Sequence, residues 1–313
     1  MIGRVNTGGG GTGGALTVTA PANVTVSVSK DGKTKTKNSG TSGVVVFKGL
    51  ASGTWTVTIT GDGKTAQKNV VITTDYSTAI SFSTIPEFTY TGDYEIVNDS
   101  DEPITVSQGN WKIRFLTSGT LTFTNLNGAE GGIDVFLVGG GGDGGTRNWN
   151  PDSSVYQHGA GGGGGYTKTQ KNIPVAVGTE YSITIGSNTG TTKAFNLSAS
   201  GGANAHDAAR GWEKGGNGGS GGGATNKPGG TNGGNGTSHE YAEGGTGQGT
   251  TTKEFGEENG RLYASGGNGN KTESTAPNSG NGADGRTTDD TSTSKNPGAS
   301  GIVVIRNTRG EAA

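Results

Sequence analysis

The chain has 313 residues, a formal net charge of −2 and no cysteine. This length predicts two or three domains, and the lack of cysteine excludes disulfides and thiolate chemistry. Acidic and basic residues are interspersed, without the basic stripe of a nucleic-acid-binding surface. No apolar run is long enough to predict a membrane span.

Residues 1–14 are polar and end in a Gly-Thr stretch. They lack the apolar run of a secretory signal, so we expect synthesis in a cytoplasm. We interpret the segment as an attachment tail that docks on a larger particle. A disordered terminus is the alternative.

Residues 15–84 have the pattern of a small all-β domain. Apolar and polar residues alternate in short runs, and Asp31-Gly32 and Asp62-Gly63 between such runs are typical of β-hairpin turns. The predicted strands cover residues 15–19, 24–29, 33–37, 44–48, 54–60, 65–73 and 78–82. Seven short strands in this length favour a β-sandwich.

A motif in this region places Phe47, Leu50, Gly53, Trp55 and Val57 at characteristic spacings. It resembles the signature of carboxypeptidase-regulatory-like domains, which are non-catalytic sandwiches used as spacers on surface proteins. The resemblance implies an Ig-like or prealbumin-like sandwich with a spacer role. The residues predicted to form its core are Phe47, Leu50, Trp55, Val57 and Ile59.

Residues 85–313 continue the strand pattern and then become rich in glycine. The predicted strands cover residues 88–90, 94–97, 104–106, 111–116, 120–124, 133–138, 166–170, 173–177, 181–185, 194–198 and 301–306. Because a strongly apolar strand returns at residues 301–306, we expect both ends of this region to meet in one sheet. This predicts a jelly-roll-like sandwich with residues 198–300 as a glycine-rich insert.

The insert has about five large apolar side chains in roughly a hundred residues. Ordering that many residues costs on the order of 100 kcal/mol of backbone entropy, which five buried side chains cannot offset. Two alternatives follow. The insert is disordered, or it folds as polyglycine II helices that hydrogen-bond side by side. We favour the ordered bundle, because glycine recurs in runs such as residues 215–223 and 229–236.

No residue pattern indicates catalysis. The Gly-x-Ser-x-Gly pattern around Ser220 lacks the preceding apolar strand of a nucleophile elbow. The three histidines lack the spacing of metal ligands. Glu257 and Glu258 lie among Gly and Asn, where we expect no apolar pocket to perturb a pKa. We therefore predict that the protein is not an enzyme and that it holds no cofactor and no metal.

Five segments of the glycine-rich region carry a family resemblance: residues 111–123, 135–142, 161–167, 252–267 and 300–306. In this order they resemble the glycine-rich domains of tail-fibre and receptor-binding proteins of bacteriophages and prophages, chiefly those of Gram-positive hosts. The resemblance implies a β-sandwich with a polyglycine insert, displayed at the tip of a virus particle and therefore outside the cell.

Aromatic residues that stand alone in polar, glycine-rich sequence are candidates for binding a surface. Tyr and Trp stack on sugars or peptide at a low entropy cost, and polar neighbours supply hydrogen bonds. The predicted ligand-binding residues are Trp149, Tyr156, His158, Arg210, Trp212, His239 and Tyr241. Each aromatic could instead be local core, which is our interpretation of Phe255, Leu262 and Tyr263.

The predicted function is non-enzymatic recognition of carbohydrate or protein on a host cell surface, at a phage tail or fibre tip. The expected partners are other virion proteins, bound through residues 1–14, and we expect several copies per particle, with a homotrimer as one arrangement. Two alternatives remain: a structural virion component, such as a head fibre or decoration protein, and a bacterial surface adhesin.

Overall fold

The computed structural model describes residues 13–61, 64–82, 84–106, 109–146, 148–150, 155–206, 214–224, 227–236, 247–248, 252–269, 275–287 and 294–309. The chain divides into two compact units. Unit 1 is drawn from Met1–Thr84 and Val106–Gly109, and unit 2 from Ile85–Thr105 and Asn110–Ala313.

Unit 1 contains seven strands in two sheets. The four-stranded sheet is antiparallel with the order β3-β2-β5-β6, and the three-stranded sheet has the order β4-β1-β7. The strands are β1 Leu16–Thr19, β2 Thr25–Lys30, β3 Lys33–Asn38, β4 Val44–Phe47, β5 Gly53–Gly61, β6 Lys64–Ile72 and β7 Tyr76–Ala79. All seven overlap the predicted strands.

The core of unit 1 is apolar and continuous. The five residues predicted to form it are all buried, which confirms that prediction. Trp55 also donates its indole N–H to the carbonyl of Ala51 at 2.9 Å. Asp31 and Gly32 have φ values of 49° and 73°, as a two-residue hairpin turn of type I′ requires. The second predicted turn, Asp62-Gly63, lies outside the described residues.

Unit 2 contains a five-stranded sheet of order β15-β12-β19-β10-β9 and a three-stranded sheet of order β16-β11-β8. Two short ribbons, β13-β14 and β17-β18, accompany them. The strands are β8 Glu87–Tyr90, β9 Tyr94–Val97, β10 Lys112–Phe115, β11 Gly119–Asn125, β12 Ile133–Val138, β13 Asn148–Asn150, β14 Val155–Gln157, β15 Thr167–Ile173, β16 Glu180–Ile183, β17 Thr192–Ala194, β18 Leu197–Ala199 and β19 Ile302–Asn307.

The prediction of an all-β chain is confirmed. The regular elements of the described residues are strands and one 3-10 helix at Glu254–Gly256. The late strand β19 lies between β12 and β10 in the five-stranded sheet, as the apolar run at residues 301–306 predicts. No helix in the described part of the chain has the length and apolarity to cross a membrane.

Three predicted strands are wrong. Residues 104–106 form no strand, although Pro103 makes an isolated bridge to Val97. Residues 173–177 are not a separate strand, because β15 runs on to Ile173 and Val177 makes only an isolated bridge to Phe123. Both runs are short and contain or follow a proline, which cannot donate a ladder hydrogen bond. The predicted strand at residues 194–198 is interrupted at Phe195 and Asn196, which form the turn between β17 and β18.

Glycine-rich segments of unit 2 pack against one another through their backbones. Along residues 159–166, successive N–H groups donate to three different neighbouring segments, over 2.7–3.0 Å. The bonds form three series: Gly159, Gly162 and Gly165 donate to Arg286, Ala283 and Gly280; Gly161 and Gly164 donate to Gly223 and Ser220; Gly163 and Tyr166 donate to Ala203 and Ser200. Each neighbour therefore meets every third residue, which is the repeat of a three-residue turn.

Residues 139–145 follow the same rule. Gly139, Gly142 and Gly145 donate to the segment at residues 160–166, whereas Gly141 and Gly144 donate to Ala299 and Asn296. A Cβ atom on most of these glycines would collide with a neighbouring carbonyl group. At these glycines the described segments touch by backbone, so closely that most of the positions have no room for a side chain.

Candidate functional site

The structure describes only part of the predicted ligand-binding set. Trp149 on β13 lies directly opposite Tyr156 on β14 in an antiparallel ribbon, and His158 follows that ribbon in a half-buried position. The ribbon therefore brings the backbones of three predicted residues together. The other predicted residues, Arg210, Trp212, His239 and Tyr241, lie outside the described residues.

A cluster of buried charges is the most elaborate polar site in the described residues, and sequence analysis missed it. It stands on one face of the five-stranded sheet. Residues two apart on a strand share a face, so Ile113 and Phe115 point into the main apolar core, whereas Lys112 and Arg114 point to the opposite face. We call the charged cluster the set Asp101, Lys112, Arg114, Asp134, Glu254, Glu257 and Arg306.

The apolar part of this face is covered by the segment at residues 252–264. Phe255 and Tyr263 pack on Phe136, with ring centroids 5.8 and 5.5 Å apart. Both aromatic residues are buried, in agreement with their predicted structural role, but Leu262 is 41% exposed and does not share that role.

Two cations of β10 meet two acids at this face. The Lys112 ammonium lies 2.5 Å from Asp101 and 2.8 Å from Glu254. The Arg114 guanidinium lies 3.4 Å from Glu254 and also contacts Asp101. Lys112, Arg114 and Glu254 are almost fully buried. Removing one partner from such an arrangement strands an uncompensated charge.

Arg306 on β19 holds a second set of contacts. Its Nε lies 3.1 Å from the fully buried Asp134 carboxylate, and its Nη2 lies 2.6 Å from Glu257. The guanidinium carbon stacks 4.0 Å from the centroid of the Phe255 ring. Phe255 has a φ of 56°, which is strained for a bulky residue, and the arginine covers the ring in that position.

The pKa of several carboxyls responds to these cations. The hydrogen bond from Arg306 lowers the pKa of Glu257. The expectation for Glu257 concerned an apolar pocket and did not include this cationic partner. Burial acts to raise the pKa of Asp101, but the hydrogen bond from Lys112 and the charge of Arg114 outweigh it and lower the pKa. Burial, reinforced by Glu254, raises the pKa of the Tyr263 hydroxyl. With lowered pKa values, Asp101 and Glu257 stay ionised at neutral pH.

A cavity of about 430 Å³ opens beside the cluster. Four acids and four bases line it: Asp99, Asp101, Glu254, Glu257, Lys112, Arg261, Arg306 and Arg309. Every one of these charges lies within 4.0 Å of an opposite charge. A ligand in this cavity would have to displace existing ion pairs, which argues against a binding site. The ion pairs of Glu254 and Glu257 with the sheet instead hold residues 252–264 in place, and we call them the clamp.

The pattern of β10 contained a signal for this cluster. Lys112-Ile113-Arg114-Phe115 alternates charged and apolar residues within a strand that is buried along its length. Buried cations require acidic partners, yet the partners come from distant positions such as Asp101 and Glu254. The sequence could have predicted the need for partners but not their identity.

Among the described residues no group of three or more His, Cys, Asp or Glu side chains could hold a metal ion. The Ser220 hydroxyl is buried and accepts a hydrogen bond from the Gly233 N–H at 3.1 Å. It is therefore not presented to a substrate.

Fold and site together define an all-β protein in which a strand core is combined with glycine segments packed by their backbones. The family model described as a glycine-rich domain matches residues 116–308. The chain belongs to this glycine-rich domain family.

A crystal structure of a DUF3823 family protein from Parabacteroides merdae is similar in part. The two proteins are 10% identical, the similarity covers 41% of this chain and 66% of that chain, and the TM-score is 0.20. Similarity of this extent carries no argument about function. No curated protein matches the chain.

Proposed function

We propose that this chain is a non-enzymatic receptor-binding protein at a phage tail or fibre tip, and that it recognises carbohydrate or protein on the host surface. One observation carries the proposal. The described glycine segments are joined by backbone hydrogen bonds in three directions. Such a scaffold holds its segments together without large side chains, and loops on a rigid scaffold are common places for recognition residues.

Membership of the glycine-rich domain family and the resemblance of five ordered segments to tail-fibre proteins support the same proposal. In this view unit 1 is a spacer, and residues 1–14 dock on other virion proteins. The protein is made in the host cytoplasm and displayed outside the cell in several copies, with a homotrimer as the simplest arrangement.

The recognition surface in this proposal consists of the loops that carry the predicted aromatics. The backbones of Trp149 and Tyr156 are paired in the β13-β14 ribbon. Trp212 and Tyr241 belong to loops of the same kind in the sequence. Aromatic residues at the centre of an interface dominate binding energy.

The test has two parts. Gold-labelled antibody should place the chain at the tip of purified particles. Trp149→Ala and Trp212→Ala should each weaken adsorption to host cells about thirtyfold, which corresponds to roughly 2 kcal/mol at an interface centre. Tyr76→Ala is the control, because Tyr76 is an exposed aromatic of unit 1.

Three outcomes contradict the proposal in different ways. Absence of the label from particles would favour the bacterial surface adhesin. Label on the head with unchanged adsorption would favour the structural virion component. Unfolding of both tryptophan variants would show that these side chains are core.

A further inference from the structure

A second cavity differs from the charged one in the chemistry of its lining. Its volume is about 580 Å³, within the ~300–1,000 Å³ range of ligand pockets. It lies beside β15 and β16, the edge strands of the two larger sheets of unit 2, and the tip of the β17-β18 ribbon. We call this cavity the aromatic groove. The aromatic and polar residues in its lining are Gln170, Glu180, Tyr181, Ser182, Phe195 and Asn196.

Two aromatic rings, which also pack against the main core of unit 2, line the groove beside Ile173, Pro174 and Leu197. The ring centroids of Tyr181 and Phe195 are 5.1 Å apart, and both side chains are half-buried. The Tyr181 hydroxyl accepts the Ala176 N–H at 2.8 Å, which fixes the orientation of that ring. The two rings are therefore held in place before any ligand arrives.

The backbone at the ribbon tip is strained at an aromatic residue. Ala194 pairs with Leu197, so Phe195 and Asn196 are the two turn residues, and their φ values are 50° and 61°. Asn adopts this conformation readily, but a bulky residue does so rarely. Strained positions of this kind concentrate at functional sites. The strain here has one visible result: it places the Phe195 ring against Tyr181 in the groove.

Polar side chains form the rim of the groove. Gln170, Glu180, Ser182 and Asn196 are exposed, and within the described residues their side chains make no hydrogen bond or ion pair. This is the opposite of the charged cavity, where every charge is already paired. A ligand at the rim therefore gains hydrogen bonds without breaking any.

The chemistry of the groove fits a pyranose ring. The apolar C–H face of a sugar matches the negative face of an aromatic ring. Its hydroxyls match amide and hydroxyl groups, which donate and accept, and a carboxylate, which accepts. An extended peptide fits less well, because Lys168 and Lys171 stand exposed on edge strand β15, and edge lysines oppose strand addition.

We propose that the aromatic groove binds a pyranose residue of a surface glycan through Tyr181 and Phe195, with Gln170, Glu180, Ser182 and Asn196 as hydrogen-bonding partners. The identity of the glycan as a host-surface molecule rests on the proposed function. A cavity of about 370 Å³ lies beside the same ribbon tip and is also lined by Phe195 and Asn196. A ligand longer than one sugar would contact both.

Binding to an array of defined oligosaccharides is the test, with the full purified chain as the probe. Phe195→Asn removes the ring while placing a residue that tolerates positive φ, and it should weaken binding about thirtyfold. Asn196→Gly keeps the turn and removes one amide, with an expected loss of about three- to tenfold. The melting temperature of both variants should stay within a few degrees of the parent.

Asn23→Gly is the matched control, because Asn23 in unit 1 is exposed and also has a positive φ of 58°. It should leave binding unchanged. In the ¹⁵N-labelled parent, the amides of residues 195 and 196 should shift on addition of the methyl glycoside of the best sugar on the array.

The proposal is overturned if the parent binds no oligosaccharide, if Phe195→Asn and Asn196→Gly bind like the parent, or if an extended peptide rather than a sugar shifts these amides. None of these measurements needs a virus particle or a host cell. A chain that binds sugars through the groove but is absent from particles would refute the proposed function and leave the groove assignment intact.

Discussion

Unit 1 and the glycine segments of unit 2 reach close packing by opposite means. In unit 1 the backbones are separated by apolar side chains, and Val26, Val57 and Ile59 have no exposed surface. In the glycine segments the backbones touch, as where Gly162 donates to Ala283 and accepts from Gly267. The first region is stabilised by apolar burial and the second by satisfied peptide groups in a dry setting.

The difference predicts opposite responses to side-chain size. An apolar core tolerates a modest loss of volume, since Ile59→Val removes one methyl group at a cost of about 0.5–1.5 kcal/mol. A segment packed by its backbone cannot accommodate an added side chain, because the neighbouring atoms are carbonyl groups that accept hydrogen bonds of their own. Composition alone would have predicted the opposite, namely that the glycine-rich region tolerates larger side chains better than unit 1.

Gly164→Ala should have the largest effect. The new Cβ would collide with the carbonyl oxygen of Ala264, while the Gly164 N–H and carbonyl are bonded to Ser220 and Gly219. We expect a loss beyond the ~1–3 kcal/mol of ordinary overpacking, seen as loss of the cooperative thermal transition of unit 2. Gly131→Ala is the control, because a Cβ there meets no atom within 4 Å.

The control should be neutral or stabilising, by up to about 1 kcal/mol. If Gly164→Ala melts like the parent, the glycine segments have room for side chains and the contrast between the two regions fails.

Glu254→Ala should have the next largest effect, because it strips Lys112 and Arg114 of a buried partner. Breaking a buried ion pair costs about 3–5 kcal/mol, measurable by urea unfolding. In the double variant Lys112→Met/Glu254→Ala the loss should be smaller than the sum of the losses in Lys112→Met and Glu254→Ala, since neither Lys112 nor Glu254 then leaves its partner charge behind.

The pair of Arg309 and Asp99 is the comparison for that cycle. Its side chains are 19% and 55% exposed, and Arg309→Ala should cost less than about 1 kcal/mol. Equal losses for Glu254→Ala and Arg309→Ala would contradict the assignment of a clamp.

Acidification should have the smallest effect and should act on unit 2 through the same clamp. Cationic partners lower the folded-state pKa values of Asp101 and Glu257 below their ordinary 3.8 and 4.5. A lowered pKa contributes stability that is complete above the ordinary value and is lost as the pH falls through the folded value. The melting temperature should therefore be level near neutrality and fall below about pH 4.5.

Glu257→Gln should reduce the fall of the melting temperature at acid pH. Glu258→Gln should not, because the described residues provide Glu258 with no ion pair. A fall that is unchanged in Glu257→Gln would show that other carboxyls control it.

Short-range patterns predicted the strands well and the sites poorly. Alternation in β5 and the apolar run of β12 depend on neighbours in sequence, so both could be predicted. The partners of Lys112 and the placement of Phe195 against Tyr181 depend on contacts between distant positions. The turn at Phe195 could not be predicted either, because no residue pattern in the predicted strand at 194–198 indicates a positive φ at a phenylalanine.

The central place of β19 has a consequence for the timing of synthesis. Asp134 and Arg306 are neighbours across the sheet, yet they are 172 positions apart in the chain. A ribosome adds about 5–20 residues per second, so β19 is synthesised roughly 10–35 s after β12. During that interval the apolar edges of β12 and β10 are open to other nascent chains. Part of the chain made in the meantime is glycine-rich, and its glycine segments offer few apolar side chains that could pair wrongly with these edges.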